Sequence, residues 1–230
     1  MNWFTNLLTS TLGRKLMMAL TGLFLILFLV VHLIGNLQLL KHDDGHAFNV
    51  YAQFMTSNPL IKIISYVNYT LILVHVIWAI LLTSHHRKAR GVEGYAVNKN
   101  SSAWTSRNMG ILGSIIFIFL VIHLKGFWYE MHWGGIQTVD YEGKTVKNLY
   151  LVVAAAYAQF WYATLYVVSM LILGFHLWHG FASSFQTLGL NHPKYNPIIR
   201  FVGRAFAIVV PVLFALIPIW MYLNQDIYNK

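Results

Sequence analysis

Long, uninterrupted runs of apolar residues dominate the hydrophobic pattern of this chain. Five runs are long enough for helices that cross a lipid bilayer, which needs about 20 residues at a rise of 1.5 Å each. The predicted spans cover about residues 16–40, 63–84, 108–128, 150–186 and 204–223. The fourth exceeds the required length, so we expect its first part to project beyond the bilayer or follow the interface. Pro211 and Pro218 are expected to bend the fifth.

This pattern predicts an all-α polytopic membrane protein, a five-helix bundle with one membrane domain over residues 1–230. Hydrophobic residues make up 57% of the chain and charged residues 10%, whereas soluble domains carry about 25% charged residues. The absence of cysteine excludes a disulfide scaffold, thiolate-bound iron–sulfur clusters and c-type haem attachment. No glycine-rich nucleotide-binding motif is present. FAD or nucleotide chemistry is therefore not expected on this chain.

The distribution of basic residues predicts the orientation of the helices. The N-terminal segment and the second and fourth loops hold ten Lys and Arg residues against one acid, Glu93; the opposite side holds six of each charge. The positive-inside rule then places the N-terminus in the cytoplasm and the C-terminus outside. Because these basic residues lie in short loops beside apolar runs, we interpret the net charge of +9 as a topology signal and expect no nucleic-acid partner.

Five of the eleven histidines lie inside apolar runs: His32, His75, His123, His176 and His179. The other six fall in loops or at helix ends, where an imidazole is an ordinary interfacial side chain. An ionisable residue within a membrane span is costly and is by default a functional candidate. One such histidine could simply bond to a neighbouring helix. Five of them on four helices indicate a shared chemical task.

The depths of these histidines suggest two levels. His32 and His123 lie about 27 and 24 Å above the inner ends of their helices, towards the outer leaflet. His75, His176 and His179 lie about 10–15 Å above the inner face. Facing imidazoles at two depths are what two bis-histidine haems require. Small residues would let a flat macrocycle approach the backbone: Gly22, Gly35, Gly110, Gly113, Gly174, Gly180 and Ser183.

Other uses of intramembrane histidine fit the sequence less well. A zinc site usually also recruits carboxylates, and proton-coupled carriers typically have acidic residues within the membrane. No Asp or Glu lies within any of the five predicted spans. We therefore expect haem rather than copper or zinc, with a haem-free transporter or scaffold as the alternative from another class.

With these features the chain resembles the five-helix, di-haem cytochrome b membrane subunit of succinate dehydrogenases and quinol:fumarate reductases. The resemblance covers nearly the whole chain. It is sharpest in GRKLMMALTGLFLILFLVVHLIGNL, residues 13–37, and in HLWHGFASSFQTLGLNHPKY, residues 176–195. In that family each of the first four helices supplies one haem-ligating histidine. The resemblance therefore implies two b-type haems.

The same resemblance implies the ligand pairs. His32 and His123 would hold the outer haem iron, and His75 and His179 the inner one. His179 is followed by Ser183 and Phe185, as a small residue and an aromatic follow the ligand in relatives; His176 is the alternative ligand. Some fumarate reductase relatives carry a glutamate two residues before this ligand, where Leu177 stands here. That departure favours succinate oxidation over fumarate reduction.

The resemblance also implies partners and a location. A flavoprotein and an iron–sulfur subunit, which carry the FAD and the clusters, would dock on the cytoplasmic face of a bacterial inner membrane. This chain would anchor them and pass electrons to a membrane quinone, expected to be menaquinone, within a complex that could dimerise. Service to another membrane dehydrogenase is the alternative. Candidate quinone-binding residues near the outer haem are Asn36, Gln38, His42 and Trp133.

Overall fold

The computed structural model describes residues 9–90 and 104–225, together with Asn2 and Thr5. Its first half contains α1 (Thr11–Asn36) with a 3₁₀ turn at Leu37–Leu40, then α2 (His46–Ser57), α3 (Pro59–Arg90), α4 (Trp104–Arg107) and α5 (Met109–His123). The helix of α5 continues as a π-helical segment (Leu124–Tyr129) and α6 (Glu130–Trp133). Strands β1 (Thr138–Tyr141) and β2 (Lys144–Lys147) precede α7 (Leu149–Tyr157), α8 (Phe160–Thr187) and α9 (Asn196–Leu223). Glu93 and Lys99, which enter the orientation argument, lie outside the described residues.

Five helical segments among the described residues are long and apolar enough to cross a membrane: Thr11–Leu40, Pro59–His85, Met109–Trp133, Phe160–Thr187 and Asn196–Leu223. Each of the five predicted spans thus overlaps one helix long enough to cross a membrane. Each leaves large apolar side chains exposed, for example Leu27, Leu73, Ile118, Leu171 and Phe201. Apolar surface of this extent on a bundle suits lipid rather than water.

The predicted fourth span is two helices rather than one. Gln159 has an extended backbone (ψ 115°), which ends the helical path between α7 and α8. Asn148 caps the start of α7, its side chain accepting a hydrogen bond from the Leu151 amide. The 28 residues of α8 suffice to cross a bilayer, and α7 packs separately against α8 and α9.

The third and fifth spans are longer than hydropathy predicts. The third continues to Trp133 and so includes Glu130, which forms an ion pair with Lys125 at 3.1 Å. The fifth begins at Asn196, with a proline in its first turn, where the missing amide hydrogen costs nothing. Arg200 and Arg204 interrupt the apolar run without interrupting the helix. The helix also passes through both of its internal prolines.

A β-hairpin and the short helix α2 lie together at one end of the bundle, which we call the hairpin end. Neither was predicted; the two four-residue strands are a small addition to a helical bundle, which agrees with the expected all-α class. β1 and β2 pair antiparallel through Glu142 and Gly143, which have positive φ angles of 54° and 82°, as a type I′ turn requires. Gly45, which precedes α2, also has positive φ, and a side chain there would collide with Tyr150.

Two apolar clusters hold the helices together. The larger lies at the hairpin end and joins the 3₁₀ turn after α1, the π-helical segment and the helices α2, α6, α7, α8 and α9; its most buried members are Leu39 and Met221. The smaller joins Ile26 of α1, Leu177 and Phe181 of α8, and Ala207 of α9. The pairing of α8 with α9 is the most extensive between helices, while α1 packs on α3 and α8, and α5 packs on α8. Because α3 also contacts α5, the four helices α1, α3, α5 and α8 surround a common interior.

Asn49 connects α2 to the hairpin and to α7 from a fully buried position. Its amide nitrogen donates to the Tyr141 hydroxyl at 3.1 Å and to Asn148 Oδ1 at 2.9 Å. Its carbonyl oxygen accepts from the Tyr150 backbone amide at 2.9 Å. One side chain thus joins α2 to the hairpin and to the start of α7, which are more than 90 residues away in sequence.

We expect Asn49→Leu to lower the free energy of unfolding by about 2–4 kcal/mol, because it removes three hydrogen bonds made by a fully buried side chain. Denaturation of the detergent-solubilised protein by increasing sodium dodecyl sulfate would measure this loss. Asn108→Ala is the matched control, because the Asn108 amide bonds only to the Trp104 carbonyl nearby in sequence. Equal stabilities for the two variants would contradict the anchoring role.

Candidate functional site

The interior of the bundle brings His32 of α1 against His123 of α5. Their ring centroids are 5.7 Å apart and the ring planes lie at 87°. His32 stacks on Phe28 and contacts Phe214 of α9. His123 is enclosed by further aromatic rings, those of Phe119, Phe127 and Tyr166. The pair therefore lies within a cluster of aromatic rings near the hairpin end.

A chain of tyrosine hydroxyls reaches the His123 ring. The Tyr166 hydroxyl lies 3.3 Å from His123 Nδ1 and 3.4 Å from the Tyr162 hydroxyl. Burial, together with the neighbouring Tyr162, raises the pKa of Tyr157, whose ring packs 5.1 Å from that of Tyr166. The α5 helix becomes π-helical directly after His123, a distortion that is frequent at functional sites. The hydrogen bond with Tyr166, itself bonded to Tyr162, holds the His123 imidazole in one orientation.

A second pair forms between His75 of α3 and His176 of α8. Their ring centroids are 6.4 Å apart, with 63° between the planes. His176 Nδ1 is buried and has no hydrogen-bond partner among the described residues. The ring that contacts His75 is that of His176; His179 lies three positions further along α8. The geometry thus favours the alternative ligand, and the choice of His179 stays a prediction that depends on the resemblance alone.

Thr21 of α1 determines the proton position on His75. The Thr21 side chain is 1% exposed, and its hydroxyl lies 2.9 Å from His75 Nδ1. The same hydroxyl lies 2.8 Å from the Met17 carbonyl and 3.1 Å from the Met18 carbonyl. Because both carbonyls can only accept, they take the single hydroxyl hydrogen, and His75 Nδ1 must be the donor to Thr21. The other ring nitrogen, Nε2, is then free of hydrogen and able to bind a metal.

Three helices give the same separation between the two pairs. On α1, Thr21 contacts His75 and lies about 16 Å along the helix from His32. On α5, Gly113 faces His176 and lies about 15 Å from His123. On α8, Tyr166 contacts His123 and lies about 15 Å from His176. The two imidazole pairs therefore stand at two levels of the bundle, as the sequence predicts.

The small residues near these levels divide into two groups. A side-chain carbon at Gly22 would lie 3.5 Å from the His75 ring, and one at Gly113 would lie 3.7 Å from the His176 ring. Gly180, one turn beyond His176, faces open space. In contrast, three other glycines allow a neighbouring helix to pack closely: Tyr51 packs against Gly35, Thr83 against Gly110, and α9 against Gly174. Of these six glycines, Gly22 and Gly113 are the two that lie beside a paired imidazole.

The two pairs fit the axial ligands of a haem. An imidazole nitrogen binds a metal at about 2 Å, so two rings on opposite sides of one iron have centroids about 6 Å apart. A haem iron takes at most two ligands from the protein, because the macrocycle supplies the other four. Among the described residues, no three His, Asp or Glu side chains converge on one point. All four paired imidazoles keep part of their surface uncovered by protein.

The four candidate quinone residues occur in two separate places. The Asn36 amide donates to the His32 carbonyl at 2.8 Å, and the Gln38 amide reaches the Ile34 carbonyl at 3.4 Å. Both amides thus bond within their own helix. Trp133 is 64% exposed and packs on Trp128 in a different aromatic group.

The indole of Trp220, beside His42, is a hydrogen-bond donor that the sequence did not predict as part of a site. Its ring lies 6.1 Å from that of Trp220 on α9. The Trp220 indole nitrogen is buried and has no hydrogen-bond partner among the described residues. A tryptophan near a helix end is usually an interfacial anchor, so no pattern in the sequence distinguishes this donor. Thr21 and Tyr166 escaped notice for the same reason, since hydroxyl residues are common in membrane helices.

Comparison of the chain with protein-family models, with curated proteins and with solved structures gave no match.

Proposed function

We propose that this chain is a di-haem cytochrome b that carries electrons within a membrane. The observation that carries the proposal is the presence of two facing imidazole pairs, His32 with His123 and His75 with His176, about 15 Å apart along the helices. That separation covers about half of a hydrocarbon core about 30 Å thick. When bound at these pairs, haem iron would accept and release one electron at a time.

The residues around each pair orient the ligands and exclude water. Thr21 holds the proton on His75 Nδ1 and so directs the unprotonated nitrogen away from α1. The aromatic rings around His32 and His123 provide an apolar environment in which water cannot compete for the metal. Such surroundings, together with the hydrogen bonds of the ligands, determine the potential of a haem.

We further propose that the chain is the membrane-anchor subunit of a bacterial succinate:quinone oxidoreductase. This step rests on the resemblance of residues 13–37 and 176–195. A flavoprotein and an iron–sulfur subunit would carry out the dicarboxylate chemistry. A quinol:fumarate reductase subunit is the alternative. Leu177 is buried between Ile26, Phe181 and Ala207 and cannot carry a proton, which favours succinate oxidation. With His176 as the ligand, the corresponding position is Gly174, which also lacks a carboxyl group.

A reduced-minus-oxidised absorption spectrum of the purified protein tests the first proposal. We expect b-type bands and two haems per chain by the pyridine haemochrome assay. A folded, monodisperse sample without such bands would overturn it.

The second proposal is tested by affinity purification from the native membrane, where flavin and iron–sulfur subunits should co-purify. A different set of dehydrogenase subunits would contradict the second proposal and leave the first intact.

Thr21→Val should raise the midpoint potential of one haem by roughly 40 mV, which corresponds to about 1 kcal/mol for one electron. The hydrogen bond to Thr21 makes the His75 imidazole more basic and so favours the ferric state. Thr21→Ser, which keeps the hydroxyl, should leave the potential unchanged. Potentiometric titration followed by optical spectroscopy measures both. Thr187→Val is the control, because the Thr187 hydroxyl bonds only within α8. Unchanged potentials in Thr21→Val would refute the positioning role.

A further inference from the structure

A cavity of about 440 Å³, open to the surface, lies at the hairpin end, away from both imidazole pairs. It is bounded by the end of α2, the start of α3, α6 and the hairpin. Its polar lining includes two lysines, a histidine, hydroxyl groups and an amide: Lys62, Lys147, His132, Thr56, Thr145 and Gln53. None of these side chains contributes to the proposed haem sites.

The charge of this cavity suits an anion. Lys62 and Lys147 supply two ammonium groups, and no Asp or Glu belongs to the lining within the described part of the chain. Lys147 Nζ donates to the Met131 carbonyl at 2.6 Å, which holds this ammonium at the cavity wall and leaves it further hydrogens to donate. The acids Glu130 and Asp140 lie near the cavity: Glu130 is paired with Lys125, and Asp140 accepts hydrogen bonds from the Gly143 amide and the Thr145 hydroxyl within the hairpin. Two cations beside the Gln53 amide form a suitable environment for a phosphate group.

The position of the cavity points to the source of that phosphate. Lys62 lies in the first turn of α3, where the second membrane span begins, and Met131 and His132 lie where the third ends. Tyr69 and Trp128 join these two helices just inside this level, with the indole nitrogen donating to the Tyr69 hydroxyl at 2.7 Å. Aromatic groups of this kind mark the headgroup region of a bilayer. The cavity therefore lies at headgroup depth.

The surface beside the cavity is apolar. Leu60 and Ile63, on either side of Lys62, are 66% and 62% exposed, and further apolar side chains of α3 continue along the span. A ligand with a phosphate at the cavity would have its hydrocarbon part against this surface. Free phosphate would make no use of it.

We propose that this cavity binds the phosphate headgroup of an anionic phospholipid, with the acyl chains along α3. Lys62 and Lys147 neutralise the phosphate, and the Gln53 amide lines the same cavity. The Thr56 and Thr145 hydroxyls donate within the protein, to the Ala52 carbonyl and to Asp140 Oδ2. The proposal rests on the membrane location of the chain and is independent of the haems. Its failure would leave the haem stoichiometry unaffected, so the two can be judged separately.

Native mass spectrometry of the delipidated full chain in detergent tests this site, with dioleoylphosphatidylglycerol as the probe. Because each basic residue near a membrane surface contributes about fivefold in affinity for anionic lipid, we expect Lys62→Gln to weaken binding about fivefold. The Lys62→Gln/Lys147→Gln double variant should weaken it about 25-fold. Lys144→Gln is the matched control: the same charge is removed from the same hairpin, but Lys144 does not line the cavity.

Two further arms identify the ligand. Dioleoylphosphatidylcholine, which has no net charge, should bind at least about fivefold more weakly than phosphatidylglycerol. Inorganic phosphate at the same concentration should not displace the lipid. Equal affinities in the double variant and in Lys144→Gln would overturn the proposal, as would equal binding of the two lipids or displacement by inorganic phosphate. Lys62 is exposed, so Lys62→Gln keeps the test valid if the double variant fails to fold.

Discussion

Replacing His123 by alanine should remove one of the two haems and leave the other in place. The same result is expected for His32→Ala, because either change leaves the iron at this level with a single protein ligand. The haem content measured by pyridine haemochrome should fall from two per chain to one. The two variants should lose the same spectral component, since His32 and His123 face each other at 5.7 Å.

The control for this experiment is His192→Ala, because His192 is exposed and distant from both pairs in the chain. It should retain both haems. Size-exclusion chromatography in detergent would verify that each variant remains folded. Two haems retained in either His32→Ala or His123→Ala, or different components lost in the two, would refute the pairing.

His176→Ala should remove the other haem, whereas His179→Ala should retain both. This expectation follows the structure, in which the His176 ring lies 6.4 Å from that of His75 and its Nδ1 is buried without a partner among the described residues. His75→Ala should reproduce the spectrum of His176→Ala, because both remove a ligand from the same iron. The haem content and the lost spectral component are again the readouts.

The reverse outcome would be equally informative. Loss of a haem in His179→Ala and retention in His176→Ala would restore the ligand that the resemblance favours. It would also mean that α8 turns when the haem is present, because His176 and His179 lie on neighbouring parts of the same helix surface. The four variants together therefore assign each imidazole to an iron or to none.

Most of the helical architecture follows from hydropathy, because a bilayer imposes a minimum apolar length on each span. The pattern fails where helix formation does not depend on apolarity. Arg200 and Arg204 lie within α9, and Glu130 lies within the third span, because a helix near a membrane surface tolerates charges. The break at Gln159 escaped prediction for the opposite reason: apolar residues continue on both sides of it.

The candidate ligands were identifiable because a histidine in an apolar run is costly, and this argument needs no tertiary information. It cannot rank two histidines one turn apart, since His176 and His179 lie on neighbouring parts of the same face of α8 and differ by only about 4.5 Å in depth. Hydropathy is also insensitive to contacts between helices. The bond from His75 to Thr21 joins residues 54 positions apart, and nothing local to either residue predicts it.

The sequence by itself determined the number of long apolar helices and the small set of imidazoles buried among them, because both depend on the cost of placing polar groups in an apolar medium. Only the tertiary structure decided which imidazoles face each other, which hydroxyl holds the proton of His75, and how the hairpin and α2 close one end. Those features depend on the rotation and contact of helices distant in sequence, which packing of the whole bundle establishes.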